Sequence, residues 1–203
     1  MKTELGYKIL KRISIPLIKK LWIGNIEGIE NVPKEGPCIV VVNHCSYIDF
    51  LIIGTLFEGI LNIPISFWAN LKVVNHPIFK YYAKYFKCIA VDVENPTKKF
   101  WKDSLRKIEN GKFLCIFPEG TRSRNGKLRE FHPGYLRLAN TTKTKIIPIH
   151  LSNTFNILPP HKKIPNFKKS NVKIFNSIIM EDRMNKKNLI DMNSKIYKLY
   201  IEI

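Results

Sequence analysis

Residues 38–50 read CIVVVNHCSYIDF, and this stretch determines how the rest of the chain is interpreted. The run Cys38–Val42 is apolar throughout, which is typical of a strand buried on both faces of a parallel sheet. His44 comes just after the end of this run, and Asp49 lies where the next apolar segment begins. Ligands of α/β proteins gather where strands end and helices begin, so this junction is a candidate site.

Strand-like apolar segments recur along the chain and alternate with segments of helical periodicity. The predicted strands cover residues 38–42, 65–68, 88–93, 113–117, 145–151 and 172–180. The predicted helices cover residues 47–61, 76–86, 97–110, 135–141 and 186–200. Near-continuous apolar strands separated by helices predict an α/β fold, with a mixed, mostly parallel sheet and helices on both of its faces.

The first 22 residues, MKTELGYKILKRISIPLIKKLW, have the pattern of a basic amphipathic helix. Leucine or isoleucine recurs at every fourth residue from Leu5 to Leu21, and Pro16 is a potential kink. Such a helix lies either in an anionic membrane interface or on the core of its own domain, and the dense lysines favour the membrane. We therefore expect a membrane-contact helix over residues 1–24 and one domain over residues 25–203.

The 203-residue chain is strongly basic, since 34 Lys and Arg residues against 16 Asp and Glu residues give a formal charge of +18. This excess indicates an anionic partner: a nucleic acid, an acidic membrane surface or a phosphorylated substrate. The lysines are spread along the chain without an RNA-recognition motif, so we expect no nucleic-acid partner. A basic membrane-binding protein without catalytic activity is an alternative of a different class.

The sequence predicts that the protein meets a membrane from one side only. The longest weakly charged stretch, residues 50–71, is interrupted by Glu58, Asn62 and Pro64, and no signal peptide is evident. We expect a peripheral or monotopic protein on the cytoplasmic side of the membrane. The four cysteines form no CxxC pair, which is typical of reduced thiols in the cytosol and argues against a metal site.

His44 and Asp49 are the candidate catalytic pair. Histidine is the side chain best suited to proton transfer near neutral pH, and a carboxylate at the start of the next helix can accept its Nδ1 proton. That contact would leave Nε2 as the base and stabilise the imidazolium. Cys45 and Ser46 are rival nucleophiles, but a cysteine adjacent to the base should point elsewhere, and Ser46 is better placed to cap the following helix.

A second cluster of polar residues follows another predicted strand in IFPEGTRSRNGK, residues 116–127. Gly120 allows the backbone to approach a ligand closely, and Arg122 offers a planar fork that suits a phosphate. The stretch differs from a nucleotide-binding P-loop, because five residues separate Gly120 from Gly126 and Leu128 follows Lys127. We therefore do not expect hydrolysis of a nucleoside triphosphate.

Three blocks together resemble the glycerolipid acyltransferases, the group that contains the 1-acylglycerol-3-phosphate acyltransferases. They are NHCSYID (43–49), FPEGTRSR (117–124) and IIPIHL (146–151), and their order and spacing also fit the family. Two flanking segments, GIENVPKEGPCIVVVNH (28–44) and FHPGYLRLA (131–139), are similar as well. The resemblance covers roughly residues 26–151.

The resemblance implies an acyltransferase that moves a fatty acyl group from acyl-CoA or acyl carrier protein to the hydroxyl of a lysolipid. The acceptor it most directly implies is lysophosphatidate, which would become phosphatidate. His44, held by Asp49, would be the general base of a direct transfer without an acyl-enzyme. No metal or bound cofactor would be needed, and the partners would be the two substrates and an anionic membrane surface.

The same resemblance implies roles for the other two blocks. Glu119, Gly120, Thr121 and Arg122 would form the substrate-binding loop, in which Glu119 positions the loop and the other three bind the acceptor's phosphate. Pro148 would help to shape the site of the acyl donor.

The chain departs from the family pattern at positions linked to the acceptor's phosphate. Asn70 and Val93 stand where family members often carry Lys and Arg, and Lys87 stands where a glycine is common. These departures leave the identity of the acceptor open, so another lysolipid is an alternative. A thioesterase, in which His44 would activate water, is the other enzymatic alternative.

Overall fold

The computed structural model describes residues 2–77, 79–180 and 183–203. Within these ranges the chain forms one sheet of seven strands in the order β1-β7-β6-β2-β5-β3-β4. The strands are β1 (Ile23–Glu27), β2 (Cys38–Val42), β3 (Ile65–Asn70), β4 (Ile89–Val91), β5 (Phe113–Ile116), β6 (Lys145–Leu151) and β7 (Ser170–Ile174). The predicted mixed, mostly parallel sheet is confirmed, because only the pairing of β6 with β7 is antiparallel.

The directions of the strands place several chain segments at one edge of the sheet. β2 to β6 are mutually parallel, so β2, β3, β4, β5 and β6 all end at this edge. β7 runs antiparallel to β6 and β1 runs parallel to β7, so β1 and β7 begin at the same edge. We call this edge the active edge.

Helices cover both faces of the sheet, as predicted. The helices are α1 (Lys2–Trp22), α2 (Ile48–Gly54), α3 (Leu71–Val74), α4 (Phe79–Tyr85), α5 (Lys98–Glu109), α6 (Gly134–Thr142), α7 (Thr154–Ile157) and α8 (Lys186–Ile201). A π-helical segment, Thr55–Leu61, continues α2. Val40 and Val42 of β2 pack in the core under α2, whereas Ile39 and Val41 pack in the core under α5, α6 and α8. Alternate side chains of β2 therefore point to opposite faces.

The side chain of Tyr200, near the end of the chain, bridges β2 and β6 beside Pro148. Pro148 itself faces the β7 side, where its carbonyl oxygen accepts a hydrogen bond from Phe175 N at 3.0 Å. Pro148 pairs in register with Val41, and the Tyr200 hydroxyl donates a hydrogen bond to Val41 O at 2.7 Å. The same hydroxyl accepts a hydrogen bond from Ile149 N at 3.1 Å. Tyr200 thus fastens α8 to the middle of the sheet.

Several element boundaries differ from the sequence prediction. β1 was not predicted, because its sequence IGNIE lacks an apolar run. The last strand ends at Ile174, and beyond it Ile178 makes an isolated bridge to Ile146. β4 covers only three residues, whereas a strand over residues 88–93 was expected.

The N-terminal helix shows features of both interpretations of its sequence. Ile18 is buried, and Ile15 packs so closely against the π-helical segment that a side chain at Gly59 would overlap it. On the outer face, however, Ile13 is 64% exposed and Leu17 is 50% exposed. α1 is therefore docked on the domain and still presents apolar side chains outwards. No helix in the described ranges is both long enough and apolar enough to cross a bilayer.

Candidate active site

The predicted contact between His44 and Asp49 is present at the active edge. His44 Nδ1 lies 2.8 Å from Asp49 Oδ2. Asp49 is fully buried in the first turn of α2, whereas the His44 side chain keeps 18% of its surface exposed. The same Oδ2 accepts hydrogen bonds from the backbone N–H groups of Cys45 and Ser46, both at 2.8 Å. In the tautomer with the proton on Nδ1, His44 donates a hydrogen bond to this oxygen, and Nε2 is then the nitrogen that can accept a proton.

The arginine loop, which we define as residues 117–129, fixes the backbone of His44. Glu119 Oε1 accepts a hydrogen bond from His44 N at 2.6 Å, and Ser123 N donates one to His44 O at 2.9 Å. The imidazole stacks on the ring of Phe117, with centroids 4.1 Å apart and an angle of 19° between the planes. The arginine loop and His44 are therefore joined in one unit by hydrogen bonds and ring stacking.

Glu119 acts as an internal brace of this unit. Its second oxygen, Oε2, accepts a hydrogen bond from Arg129 N at 2.9 Å, so both carboxyl oxygens are bound by backbone amides. Burial of the side chain raises the pKa of Glu119 to about 7, and these two hydrogen bonds oppose that rise. The geometry supports the positioning role predicted for Glu119 rather than direct contact with a substrate.

Arg122 is held against an aromatic ring beside the catalytic pair. Its guanidinium carbon lies 3.5 Å from the centroid of the Tyr47 ring. Nη1 of Arg122 is buried and has no hydrogen-bond acceptor among the described residues. A buried donor without an acceptor is costly, and a guanidinium fork suits a phosphate, so this group is a candidate anion ligand.

Gly120 and Thr121 lie between the brace and the arginine. Gly120 has a φ of +68°, a conformation that favours glycine, and a side chain there would also crowd Val93 and His132. Thr121 is exposed to solvent. The structure thus brings the four predicted loop residues next to His44, while their roles in binding remain predictions.

Neither Cys45 nor Ser46 is arranged as a nucleophile. Burial, reinforced by the charge of Asp49, raises the pKa of Cys45 to about 12, and its Sγ lies 3.0 Å from Thr154 Oγ1. The Ser46 hydroxyl donates a hydrogen bond to Leu158 O at 2.6 Å and accepts one from Ile48 N at 3.1 Å. The N-cap residue of α2 is Tyr47, and Ser46, one residue earlier, binds the first N–H group of the helix through its hydroxyl. Its bond to Leu158 ties residues 43–49, which carry the candidate catalytic pair and which we call the catalytic turn, to the segment after α7.

The positions that depart from the family pattern are also located by the fold. Asn70 ends β3, and its side chain caps α3 by accepting a hydrogen bond from Lys72 N at 2.9 Å. Val93 lies against Gly120, so this position borders the arginine loop. Lys87 precedes β4 and so lies at the opposite edge of the sheet, away from the site.

Among the described residues, no group of three or more His, Cys, Asp or Glu side chains is arranged as metal ligands. An open basin of about 620 Å³ adjoins the catalytic turn. It is lined by Cys45 and Glu119, by residues 125–128 of the arginine loop and by residues 150–153 after the middle of β6. The basin therefore lies beside the His44–Asp49 pair, between the arginine loop and the segment after β6.

A sequence model of the Acyltransferase family matches residues 24–152, which is more than half of the chain. The chain belongs to the acyltransferase family. The match spans the His–Asp junction, the arginine loop and β6, the three blocks that carried the resemblance. This acyltransferase-family chain thus has the family's motifs assembled at one edge of its sheet.

The relatives with known names are lipid acyltransferases. The chain is 31% identical over 160 residues to the 1-acyl-sn-glycerol-3-phosphate acyltransferase LPAT1, chloroplastic, of Arabidopsis thaliana, a match that covers 70% of this chain and 42% of that protein. It is 31% identical over 149 residues to the 1-acyl-sn-glycerol-3-phosphate acyltransferase of Borreliella burgdorferi, covering 67% and 55%. The chain therefore spans about half the length of these curated relatives.

A solved structure shares the fold. The crystal structure of the 1-acyl-sn-glycerophosphate (LPA) acyltransferase PlsC from Thermotoga maritima superposes with a TM-score of 0.73 at 24% sequence identity. The superposition covers 97% of this chain and 80% of the PlsC chain. The α/β fold predicted from the sequence is thus the fold of a known acyltransferase.

Sequence reasoning missed the residues that hold His44 and Arg122 in place. Phe117 and Tyr47 support His44 and Arg122 through their ring faces, and Thr154 contacts Cys45. The signal available for Phe117 was an aromatic residue directly before the sequence Pro-Glu-Gly of the arginine loop. No short-range pattern pointed to Tyr47, because its partner lies in the other block.

We predict that Glu119→Gln lowers the free energy of unfolding by about 1–3 kcal/mol. The amide nitrogen of glutamine cannot accept a hydrogen bond, so one of the two buried N–H groups loses its acceptor. Urea unfolding measures the effect, and Glu130→Gln, an exposed change in the same loop region, is the matched control. Equal unfolding free energies for the two variants would contradict the brace.

The raised pKa of Glu119 adds a pH dependence to the same comparison. Because the folded state disfavours its charged form, the carboxyl's contribution to stability is complete below about pH 4.5 and is lost as the pH rises through about 7. The stability difference between the wild type and Glu119→Gln should therefore shrink over this interval. A difference that grows with pH would contradict the assigned direction.

Proposed function

We propose that the protein is an O-acyltransferase that moves a fatty acyl group from a thioester to the hydroxyl of a lysolipid. The observation that carries this proposal is the His44–Asp49 pair, in which a fully buried carboxylate holds a partly exposed imidazole at the end of β2. The names of the relatives support the same reaction class. Lysophosphatidate is the proposed acceptor, and acyl-CoA or acyl carrier protein is the proposed donor.

In the proposed mechanism the acyl group passes directly between the two substrates. Nε2 of His44 takes the proton of the acceptor hydroxyl while the hydroxyl oxygen forms a bond to the thioester carbonyl carbon. The carbon–sulfur bond then breaks, and the leaving thiolate takes the proton from the imidazolium. Proton transfer is assigned to His44 alone, so no step uses a metal or a bound cofactor.

Asp49 supports both stages of this mechanism. By accepting a hydrogen bond from Nδ1–H, it fixes the tautomer in which Nε2 is the base, and its charge stabilises the imidazolium that forms. The two backbone amides that also bind Oδ2 prevent the carboxylate from turning away. The stacking of the imidazole on Phe117 restricts its rotation further.

The arginine loop is proposed to bind the phosphate of the acceptor. Arg122 supplies a charged fork whose Nη1 has no acceptor among the described residues, and Tyr47 sets the plane of that fork. The departure at position 93 removes a family cation next to this loop, since Val93 lies against Gly120. A phosphate monoester therefore has fewer charged partners here than in a typical family member.

We further propose that α1 holds the enzyme on the cytoplasmic side of an anionic membrane. Its outer face carries the exposed side chains Ile13 and Leu17, and Lys19 and Lys20 are exposed in its last turn. This combination suits a helix that lies in the headgroup region. A peripheral position of this kind would give His44 access to a lipid acceptor.

We predict that His44→Ala abolishes acyl transfer while the fold is retained. Asp49→Asn should lower turnover by several orders of magnitude, on the scale of about 10⁴ known for another catalytic histidine that loses its carboxylate. The assay is product formation from acyl-CoA and lysophosphatidate by mass spectrometry. Cys45→Ala, a change in the same turn, is the control and should retain turnover. Near-normal transfer by folded His44→Ala would overturn the proposal.

A second prediction concerns the support of Arg122 by Tyr47. Arg122→Ala should raise the KM for the acceptor by about 10- to 150-fold, because charge-assisted hydrogen bonds contribute about 1.5–3 kcal/mol. Tyr47→Leu removes the ring face and should raise the same KM by a smaller factor, and Tyr47→Phe, which keeps the ring, should raise it less than Tyr47→Leu does. The KM for the donor should not change. Equal effects of the two Tyr47 variants would contradict the stacking role.

A third prediction concerns the choice of acceptor. Val93→Arg places a cation beside Gly120 and should raise the rate with lysophosphatidate relative to a lysophosphodiester acceptor. Val93→Gln is the control, because it adds length without charge. Asn70 is left unchanged, since replacing it would also remove the cap of α3. An unchanged acceptor preference in Val93→Arg would show that this position does not select the headgroup.

A further inference from the structure

The segment between α7 and β7 exposes two large apolar side chains. We call residues 159–169 the basic loop; its sequence is PPHKKIPNFKK. Ile164 is 79% exposed and Phe167 is 81% exposed, which are the highest values for large apolar residues in the described part of the chain. The exposure of both side chains within four residues needs an explanation, because placing large apolar groups in water is unfavourable.

The basic loop is held in a defined conformation. Asn166 N donates a hydrogen bond to Ile157 O, and Asn166 Nδ2 donates one to Asn156 O, both at 2.8 Å. The indole N–H of Trp22, the last residue of α1, donates a hydrogen bond to Asn166 O at 3.0 Å. Three hydrogen bonds thus anchor Asn166, and Ile164 and Phe167 lie on either side of it in the sequence. The bond from Trp22 also joins the loop to α1.

The basic loop lies at the active edge. It leads directly into the first residue of β7, which begins at that edge, and Trp22 precedes the first residue of β1, which begins there as well. Leu158, the residue before the loop, accepts the hydrogen bond from the Ser46 hydroxyl. The loop, the end of α1 and the catalytic turn are therefore neighbours connected by hydrogen bonds.

The charge of the loop is entirely positive. Lys162, Lys163, Lys168 and Lys169 are exposed and flank the two apolar side chains, and residues 159–169 contain no Asp or Glu. Apolar side chains between lysines match the interface of an anionic bilayer, where apolar groups enter the acyl boundary and the ammonium groups meet phosphates.

We propose that the basic loop is a second membrane-contact element, which inserts Ile164 and Phe167 into an anionic bilayer beside the catalytic turn. Together with the outer face of α1, it fixes the orientation of the domain, so that the active edge faces the lipid. One helix alone would leave the domain able to rotate about the helix axis, whereas a second contact removes that freedom. The bilayer is favoured over a nucleic acid because a buried isoleucine contributes to lipid binding and has no aromatic face for stacking on bases.

The test measures the binding of the full chain to vesicles, without any measurement of turnover. It uses vesicles of phosphatidylcholine alone and of phosphatidylcholine with phosphatidylglycerol, in co-sedimentation at two salt concentrations. The loop variant is Ile164→Ser with Phe167→Ser. The control is Ile190→Ser with Ile201→Ser, because these two side chains on α8 are also more than half exposed. Ile13→Ser with Leu17→Ser tests α1 separately, and thermal unfolding checks that each variant is folded.

We expect the loop variant to bind phosphatidylglycerol vesicles at least about tenfold more weakly than the wild type, because two large apolar side chains no longer enter the bilayer. The α8 control should bind like the wild type, and added salt should weaken wild-type binding. Wild-type binding by the loop variant, or an equal loss in the control, would overturn the proposal. The proposal would also be overturned if the loop variant kept vesicle binding and lost binding to an oligonucleotide. Because binding is measured alone, this inference and the proposed reaction can fail separately.

Discussion

The hydrogen bonds around the buried Asp49 carboxylate hold the catalytic turn together. A carboxylate removed from water costs several kcal/mol unless donors replace the lost hydration. Here the donors are the ring of His44 and the amides of Cys45 and Ser46, all directed at one oxygen. The other oxygen, Oδ1, is buried without a partner among the described residues, so the three hydrogen bonds to Oδ2 are what orient the turn after β2 and place the imidazole at the active edge.

The strand directions then bring the remaining parts of the site to the same edge. The arginine loop follows β5, which is paired with β2, so its Glu119 reaches the backbone of His44. The segment after β6 approaches from the other side of β2 and accepts the Ser46 hydroxyl bond at Leu158. Since β1 and β7 run against the other strands, α1 and the basic loop also arrive there. The two proposed membrane contacts and the proposed base are thus brought to one edge by the topology of one sheet.

The sequence predicted the central strands, both helical layers and the His–Asp contact, because each depends on local apolar patterns or on residues a few positions apart. It did not predict the interactions between distant segments. The Tyr200 hydroxyl bridges Ile149 N and Val41 O and so joins the sheet to the last helix, and no periodicity in either segment indicates this contact. Glu119 binds backbone amides, which every residue possesses, so no side-chain pattern identifies its partners. The stacking of Tyr47 on Arg122 likewise depends on the pairing of β2 with β5.

The central claim is that His44 promotes direct transfer between two bound substrates without an acyl-enzyme. Initial rates measured over a matrix of donor and acceptor concentrations test it most directly, because direct transfer and transfer through an acyl-enzyme give different double-reciprocal patterns. Direct transfer predicts lines that intersect, together with an unchanged protein mass after incubation with acyl-CoA alone. Parallel lines, with an acyl group found on Cys45 or Ser46, would contradict the account.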